Sequence, residues 1–265
     1  MKVVLFCGGL GMRLREYSER MPKPMVPIGH QPILWHVMQY YSRYGYNEFI
    51  LCLGYKANVI RDYFVNYKPH AYSDVRVITG DSTVEILEEQ PPQWNIALIN
   101  TGLMRNIGER LYAVQPHVAT EKIFLANYSD GLTDAPLDDM LRFFKESGKI
   151  ACFLAVQPQF SYHLVDVDDQ GHVIALKTSA DSNNWINGGY FLFRQEIFDY
   201  IQPGEELVEE PFARLIAANQ FVCYRYRGFW ASMDTLKDKQ TLEEMVERGD
   251  QPWMARNAKG HHDKL

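Results

Sequence analysis

Short apolar runs alternate with amphipathic segments along the first part of the chain. The opening run KVVLFC has the length of a buried strand, and residues 33–44 place Ile33, Val37 and Tyr41 on one helical stripe. The run NEFILCLG and the segment KANVIRDYFVNY then repeat the order of strand and helix. This succession predicts a parallel sheet covered by helices.

The remainder of the chain is richer in β pattern. VRVITGDSTVEIL predicts a hairpin that turns at Gly80 and Asp81, and WNIALIN and KIFLANYSDG predict further strands. From 150 to 193 the pattern predicts several strands, two of which are joined by a DDQG turn. FVCYRYRGFW predicts a late strand. Helices are predicted over 106–116, 137–148, 205–220 (interrupted or restarted at Pro211) and 234–249. We therefore expect one α/β domain with a mixed, mainly parallel central sheet flanked by helices, and a β-rich insertion.

Composition narrows the class of protein. The 265 residues are 46% hydrophobic, enough for a sizeable core. We expect a cytosolic protein, because no apolar run approaches membrane length and a strand begins at Lys2, which leaves no signal peptide. The net charge of -6 argues against nucleic-acid binding. The four cysteines have no metal-type spacing and are expected to be free buried thiols.

The segment GGLGMRLREYSERMPKPM, residues 8–25, directly follows the first strand. Glycines let backbone N–H groups close around an anion, although a plain tight turn is the alternative. The segment lacks G-K-[ST], so it is not a P-loop, and Leu14 stands where a dinucleotide motif needs its third glycine. Arg13 and Lys23 supply the charge that a triphosphate needs, and Pro22 and Pro24 fix the backbone around Lys23. The segment thus indicates a local phosphate site.

Further stretches extend the pattern over nearly the whole chain: GHQPILWHVMQYYSRYG, FILCLGYK, INTGL, WINGGYF and GFWASMDTLKDK. With GGLGMRL and PKPM, they resemble the sugar-1-phosphate nucleotidyltransferases, and among these the glucose-1-phosphate cytidylyltransferases. The resemblance implies a Rossmann-like fold, Mg²⁺ dependence, a nucleoside triphosphate (CTP first) and a phosphorylated sugar as substrates, release of pyrophosphate, and a homo-oligomer. It divides the chain into a nucleotide-binding part (about 1–135), an acceptor-binding part (about 136–250) and a polar tail (about 251–265).

The resemblance also implies roles for single residues in the nucleotide half. Arg13 would hold the β and γ phosphates and Lys23 the α-phosphate region, as the two catalytic cations. The implied nucleotide-binding residues are Gly8, Gly9, Gly11, Met12, Thr101, Gly102 and Arg110. Met12 replaces the threonine usual in this motif. For Thr101 and Gly102 the alternative is a turn, and for Arg110 an exposed helix charge.

Asp130 and Asp234 match the two aspartates that bind the metal in the resembled family. Both follow β-rich runs, so they could meet at one sheet edge; the alternative for each is a turn former or helix cap. Ser129 stands where glycine is usual before the metal aspartate. Asp134 is predicted to be the N-terminal cap of the helix that starts near Leu137.

The acceptor half departs from the resembled pattern. Asn187 can donate to and accept from hydroxyls and Gly188 permits close approach, although an edge or bulged strand is the alternative. Lys177 and Thr178 stand where the family has Glu-Lys. Tyr162 is the first residue of the Tyr-His pair that stands where the family has Phe-Gly. With Trp185, these residues form the predicted acceptor-binding set. We therefore expect a phosphorylated acceptor related to glucose 1-phosphate but not necessarily identical to it.

Two other classes of protein stay open from the residues alone. Asp166 and Asp168 have the Asp-x-Asp spacing of metal-dependent glycosyltransferases, although Gln170-Gly171 directly after them favours an acidic hairpin turn. The missing Glu-Lys-Pro run also fits a catalytically silent nucleotide-binding relative. Release of pyrophosphate in the presence of Mg²⁺ and acceptor would distinguish an active nucleotidyltransferase from these alternatives.

Overall fold

The computed structural model describes residues 1–9, 17, 19–68, 74–87, 93–158, 164–178 and 184–255. Its strands are β1 (Val3–Phe6), β2 (Pro27–Ile28), β3 (Gln31–Pro32), β4 (Glu48–Leu53), β5 (Val75–Ile78), β6 (Thr83–Ile86), β7 (Asn95–Asn100), β8 (Ile123–Asn127), β9 (Gly131–Thr133), β10 (Ala151–Val156), β11 (Leu164–Val167), β12 (Val173–Lys177), β13 (Ile186–Arg194), β14 (Phe221–Tyr226) and β15 (Trp230–Ser232).

The described α-helices are α1 (Ile33–Arg43), α2 (Ala57–Val65), α3 (Ile107–Ala113), α4 (Gln115–Val118), α5 (Leu137–Ser147), α6 (Glu210–Ala217) and α7 (Leu236–Glu247). Short 3-10 helices cover Lys23–Met25, Gln195–Tyr200 and Pro252–Met254. None of the helices in these described ranges is long and apolar enough to cross a membrane.

A seven-stranded sheet with the order β14-β10-β13-β8-β1-β4-β7 forms the centre of the fold. β1 pairs in parallel with β4 and β8, β4 with β7, and β10 with β14, whereas β13 runs antiparallel to both of its neighbours. The predicted α/β fold with a mixed, mainly parallel central sheet is confirmed. The carboxyl ends of β1, β4, β7 and β8 lie at one edge, where open α/β sheets bind their ligands.

Alternation along each strand fills two cores, one on each face of this sheet. In β1, Val3 and Leu5 enter the core that contains α1 and α5, whereas Val4 and Phe6 enter the core that contains α3 and α6. Because both faces are covered, the strand reads as one continuous apolar run. The four cysteines are free thiols, as predicted.

Two isolated hairpins, β5–β6 and β11–β12, supply the β-rich insertions, and both follow the predicted turns. In the acidic turn of the second hairpin, Asp168 accepts hydrogen bonds from the backbone N–H groups of Gln170 and His172. Asp166 pairs with Lys177 across the hairpin. The hairpin-turn interpretation of the Asp-x-Asp run is therefore confirmed, and the geometry does not favour the glycosyltransferase class.

Several predicted boundaries change. The helix expected over 205–220 begins only at Glu210, with Pro211 in its first turn. The late strand expected over 221–230 divides into β14 and the start of β15, which pairs with β9 away from the central sheet. In the expected polar tail, Trp253 is fully buried and donates a hydrogen bond to His36, so the chain is packed to at least that residue.

The predicted role of Asp134 as a helix cap is wrong. The N-cap position of α5 is Pro136, which makes no side-chain capping bond. The Asp134 carboxylate instead accepts a hydrogen bond from the Tyr226 hydroxyl at 2.7 Å. Tyr226 comes from the distant strand β14, which sequence spacing does not reveal. Gly148 does end α5, in the left-handed conformation that glycine commonly adopts at the end of a helix.

Candidate active site

Pairing of β9 with β15 brings two distant aspartates together. Gly131 lies opposite Ser232 in this antiparallel pair, Asp130 directly precedes β9, and Asp234 follows β15 by two residues. The backbone N–H of Met233 donates to the carbonyl of Asp130 at 2.9 Å, which extends the pairing beyond the strand ends. The sequence predicted that the two aspartates could meet at one edge, and the structure brings them together.

Lys23 bridges the two carboxylates. Its Nζ lies 2.7 Å from Oδ2 of Asp130 and 2.8 Å from Oδ1 of Asp234. Met25 and Pro24, in the 3-10 helix that begins at Lys23, are buried, so the backbone beside the lysine is held by the core. The side chain of Lys23 is only 15% exposed. The proline-braced lysine is thus a fixed cation, as the sequence predicted.

Burial and charge act in opposite directions on this cluster. Burial alone would lower the pKa of Lys23, but the two carboxylates outweigh it and raise that pKa. Burial raises the pKa of the Asp130 carboxyl, and the ammonium of Lys23 only partly offsets the rise. Lys23 is therefore held as a cation, and it is the positive group that both carboxylates share.

A cavity of about 470 Å³ opens beside this cluster. None of the described residues that line it is a lysine or an arginine. Its lining residues are Asn127, Tyr128, Asp130, Gly131, Pro158, Ile186, Asn187, Gly188, Gly189, Trp230, Ser232 and Asp234. A second recess of about 170 Å³ is lined in part by Gly9, Lys23, Tyr128 and Asp130. Tyr128 and Asp130 therefore contact both spaces. Gly9, at the start of the 8–25 segment that we call the glycine loop, lies on one side, and β13 lies on the other.

The WINGGY segment forms the wall of the larger cavity. It lies on β13, a central strand, at a β-bulge opposite β10, so the edge-strand alternative is wrong and the bulge is real. Asn187 accepts from the Gly189 N–H at 2.9 Å and lies 3.4 Å from the Tyr128 hydroxyl. A Cβ on Gly188 would lie 3.0 Å from the Leu154 carbonyl oxygen, a tight contact with the backbone, so glycine eases the close approach of β13 to β10.

Arg110 lies inside the protein and not on a helix surface. It is 2% exposed, so the exposed-charge alternative is wrong. Its guanidinium donates to the carbonyls of Gly8, Leu53 and Gly102 and to the hydroxyl of Thr101, at distances of 2.7 to 3.3 Å. Arg110 therefore ties together the ends of β1, β4 and β7, directly beneath the glycine loop.

The predicted nucleotide-binding residues gather at this edge of the sheet as far as the structure describes them. Gly8, Gly9, Thr101 and Gly102 lie at the ends of β1 and β7. Thr101 is buried, and its hydroxyl donates to the Leu53 carbonyl at 2.9 Å. Four predicted residues lie outside the described ranges: Gly11, Met12, Arg13 and Tyr162.

Three members of the predicted acceptor set lie elsewhere. Lys177 is in the β11–β12 hairpin, paired with Asp166, and the neighbouring Thr178 is exposed. The Trp185 ring lies near the guanidinium groups of Arg225 and Arg227, whose carbons are 5.7 and 5.5 Å from its ring centre. None of the three is among the described residues that line the cavity, and Lys177, paired with Asp166 in the hairpin, does not take the place of the family's lysine there.

Sequence reasoning missed the two aromatic residues among the described lining of the cavity, Tyr128 and Trp230. Tyr128 packs its ring against Phe6 and Phe191, and the Trp230 Nε1 donates to the carbonyl of Gly188 at 2.8 Å. Tyr128 lies two residues before the predicted metal aspartate, and Trp230 lies in the GFW run that supported the resemblance. Either position could have been chosen as a candidate from its neighbours alone.

Comparison with known proteins agrees with this site. The family described as Nucleotidyl transferase matches residues 2–238, and the chain belongs to that family. It is 37% identical over 255 residues to the glucose-1-phosphate cytidylyltransferase of Salmonella typhi, covering 96% of this chain and 98% of the relative.

Relatives beyond the cytidylyltransferases are more distant. The chain is 26% identical to the mannose-1-phosphate guanylyltransferase catalytic subunit beta of Dictyostelium discoideum, covering 90% of this chain and 62% of that protein. Among solved structures, the UTP-bound UGPase of Acinetobacter baumannii superposes with a TM-score of 0.66 at 19% identity, covering 92% of each chain. At that identity the likeness shows the fold.

Proposed function

We propose that this protein transfers the cytidylyl group of CTP to a sugar 1-phosphate, releasing pyrophosphate and forming a CDP-sugar. The observation that carries the proposal is the Lys23 ammonium, held by Asp130 and Asp234 at the junction of two spaces. The smaller space adjoins the glycine loop and suits a triphosphate, and the larger suits a sugar phosphate. The similarity over nearly the full chain to a glucose-1-phosphate cytidylyltransferase supports CTP as the donor.

Asp130 and Asp234 would hold Mg²⁺. Both carboxylates contact one nitrogen atom, so their oxygens can converge on one cation. Among the described residues no group of three or more His, Cys, Asp and Glu could hold a metal. A pair of carboxylates suits Mg²⁺, which usually takes one or two of them and completes its shell with phosphate oxygens and water. When bound, Mg²⁺ supplies charge neutralisation for the phosphates.

The protein's own contribution is alignment of two anions. A phosphate oxygen of the sugar phosphate attacks the α-phosphorus, its bond forms as the bond to pyrophosphate breaks, and no protein nucleophile is required. Lys23 neutralises charge on the α-phosphate region, and Arg13 on the departing pyrophosphate. Asn187, beside Tyr128, presents an amide to the sugar hydroxyls.

The acceptor is a phosphorylated sugar that need not be glucose 1-phosphate. The cavity lacks a lysine or arginine among its described lining residues, and Lys177 is paired in the hairpin. Lys23, which lines the adjoining recess, and the metal are charges that the acceptor phosphate can then use. We therefore expect an altered sugar preference, since the chain departs from its family at Tyr162, Lys177 and Thr178 in the acceptor half.

A matrix of nucleoside triphosphates and sugar 1-phosphates, with Mg²⁺ and a pyrophosphate-release readout, tests the proposal. The expected result is release with CTP and one or a few sugar 1-phosphates. Ordinary enzyme rates with glucose 1-phosphate would contradict the expectation of an altered acceptor but would still support the proposed cytidylyltransferase activity. Absence of release with every pair, together with a CTP-induced rise in melting temperature, would instead establish a catalytically silent nucleotide-binding relative.

A further inference from the structure

Ser129, directly before Asp130, has an unusual backbone conformation. Its φ is 64°, in the left-handed region that disfavours any residue with a Cβ. The described part of the chain holds four non-glycine residues at positive φ, namely Lys56, Ser82, Ser129 and Asn219. Of these four, Ser129 alone is buried, with no exposed surface. A left-handed serine with no access to water must be held by its contacts.

Those contacts join the ends of two parallel strands. The Ser129 hydroxyl donates to the carbonyl of Phe6, the last residue of β1, at 2.8 Å. Its backbone N–H donates to Oδ1 of Asn127, the last residue of β8, at 2.7 Å. Asn127 in turn donates to the Tyr41 hydroxyl at 3.3 Å, so the chain of hydrogen bonds continues into α1. Ser129 thus fixes the end of β8 against β1, two residues before Gly8.

The same turn determines where both aspartates lie. The left-handed residue sets the direction in which Asp130 leaves β8, and the Asp130 carbonyl accepts from the Met233 N–H, next to Asp234. A change in the turn at Ser129 would therefore move the Asp130 carboxylate directly and the Asp234 carboxylate through Met233. Neither carboxylate contacts the Ser129 hydroxyl itself in the described hydrogen bonds.

We propose that Ser129 is a positioning residue for the carboxylate pair. Its hydroxyl holds the left-handed turn that aligns Asp130 and Asp234 with each other and with the glycine loop. The inference rests on the proposed function, because it assigns the pair to a metal ion. Groups that orient metal ligands without touching the metal commonly change metal affinity on the order of 10- to 100-fold when they are removed.

The test compares Ser129→Ala and Ser129→Gly with the wild type and with Ser82→Gly. Ser82 is a matched control, since it is also a left-handed serine, with φ 60°, but is exposed in the β5–β6 turn. Binding of Mn²⁺ alone is measured by electron paramagnetic resonance, and thermal melting is measured in parallel. We expect both Ser129 variants to bind Mn²⁺ on the order of tenfold more weakly. Ser82→Gly should leave Mn²⁺ affinity unchanged.

Melting separates this role from a merely structural one. Ser129→Ala keeps the unfavourable φ and loses the hydrogen bond, whereas glycine tolerates the φ, so Ser129→Gly should melt at the higher temperature of the two. If Ser129→Ala melts at a lower temperature than the wild type but binds Mn²⁺ equally well, the inference is overturned.

A second readout does not involve a metal. If the wild type binds no Mn²⁺, the proposed metal pair fails, and crystal structures of the wild type and Ser129→Ala then decide the inference. The measured quantity is the distance from Lys23 Nζ to the Asp130 carboxylate, 2.7 Å here. Lengthening of this contact in the variant supports a positioning role for Ser129, and an unchanged contact contradicts it.

Discussion

The Nζ of Lys23 lies 2.7 Å from the carboxylate of Asp130, although the two residues are 107 positions apart in the sequence. The lysine is held by a proline-braced turn, and the aspartate follows the buried strand β8. One ammonium group thus joins the phosphate-binding segment to the proposed metal pair, which makes this contact the first to test.

Replacing Lys23 by methionine keeps the apolar stem and removes the charge. The turnover rate should fall about 100-fold or more, because the group acts as a preorganised charge in the transition state. Lys145→Met, on the exposed face of α5, is the control. Steady-state pyrophosphate release measures the effect, and a Lys23→Met enzyme within threefold of the wild-type rate would refute the catalytic role.

The same substitution should have the opposite effect on metal binding. Without the ammonium, Asp130 and Asp234 lose the cation that they share, and their mutual repulsion favours a divalent ion. Mn²⁺ alone should therefore bind Lys23→Met several-fold more tightly than the wild type. Weaker binding would mean that the lysine supports the metal site and does not compete with it.

The two glycines at the end of β1 should respond differently to alanine. A Cβ on Gly8 would lie 2.1 Å from an Arg110 guanidinium nitrogen, whereas a Cβ on Gly9 meets no atom of the described residues within 4 Å. Gly8→Ala must displace Arg110 from the carbonyls it holds and should cost about 3 kcal/mol of unfolding free energy. Gly9→Ala should melt like the wild type and change only the KM for CTP. Urea unfolding and CTP kinetics distinguish the two, and equal stabilities would exclude a bracing role for Arg110.

Substitutions at two tryptophans test which one contacts the sugar phosphate. Trp230 lines the cavity in the structure, whereas Trp185 was predicted from the sequence. Trp230→Phe removes the donor to the Gly188 carbonyl and should raise the KM for the sugar phosphate about 3- to 10-fold, leaving the KM for CTP unchanged. Trp185→Phe keeps an aromatic ring beside Arg225 and Arg227 and should have a smaller effect on the KM for the sugar phosphate. A larger effect at Trp185 would restore the sequence prediction and contradict the cavity assignment.

His36 should make the fold sensitive to mild acid. It is buried between two partners, lying 3.1 Å from the Ile28 carbonyl and accepting at Nδ1 from Trp253, which together require the neutral ring. Burial lowers the pKa of His36 from 6.5 to about 4. Because the unfolded state binds the proton more readily, the stabilisation is present above about pH 6.5 and is lost as pH falls towards about 4, an effect of about 3 kcal/mol.

The difference in urea midpoint between wild type and His36→Gln, measured from pH 7 to pH 4, isolates this group from the other titrating residues. The wild type should lose more stability over that range than the variant. Parallel pH profiles for the two proteins would show that His36 is not the acid-sensitive group.

The sequence predicted most of the sheet, because apolar runs such as KVVLFC and FILCL can only be buried strands between helical segments. It also predicted that Asp130 and Asp234 could meet at one sheet edge and that Lys23 is a fixed cation, but not that the lysine bridges the two carboxylates. It could not predict the partners of Arg110 or Asp134. Arg110 bonds to Gly8 and Asp134 bonds to Tyr226, and the periodicity of helices and strands gives no information about contacts between residues so far apart in the sequence. Trp253 was assigned to a tail because its neighbours are polar, whereas a single buried ring fixes its position.

The small β9–β15 pair also limits when the protein can become active. Lys23 and Asp234 are 211 positions apart, and Asp234 reaches the lysine only after β15 has paired with β9. Closing so long a loop is a late event in folding, because distant contacts form only after local ones have paid the entropy of closure. A nascent chain shorter than residue 234 would carry the glycine loop and Asp130 without the second carboxylate. Catalytic competence therefore arises only once the chain has been synthesised beyond Asp234 and β15 has paired with β9, so fragments that end before Asp234 should be inert.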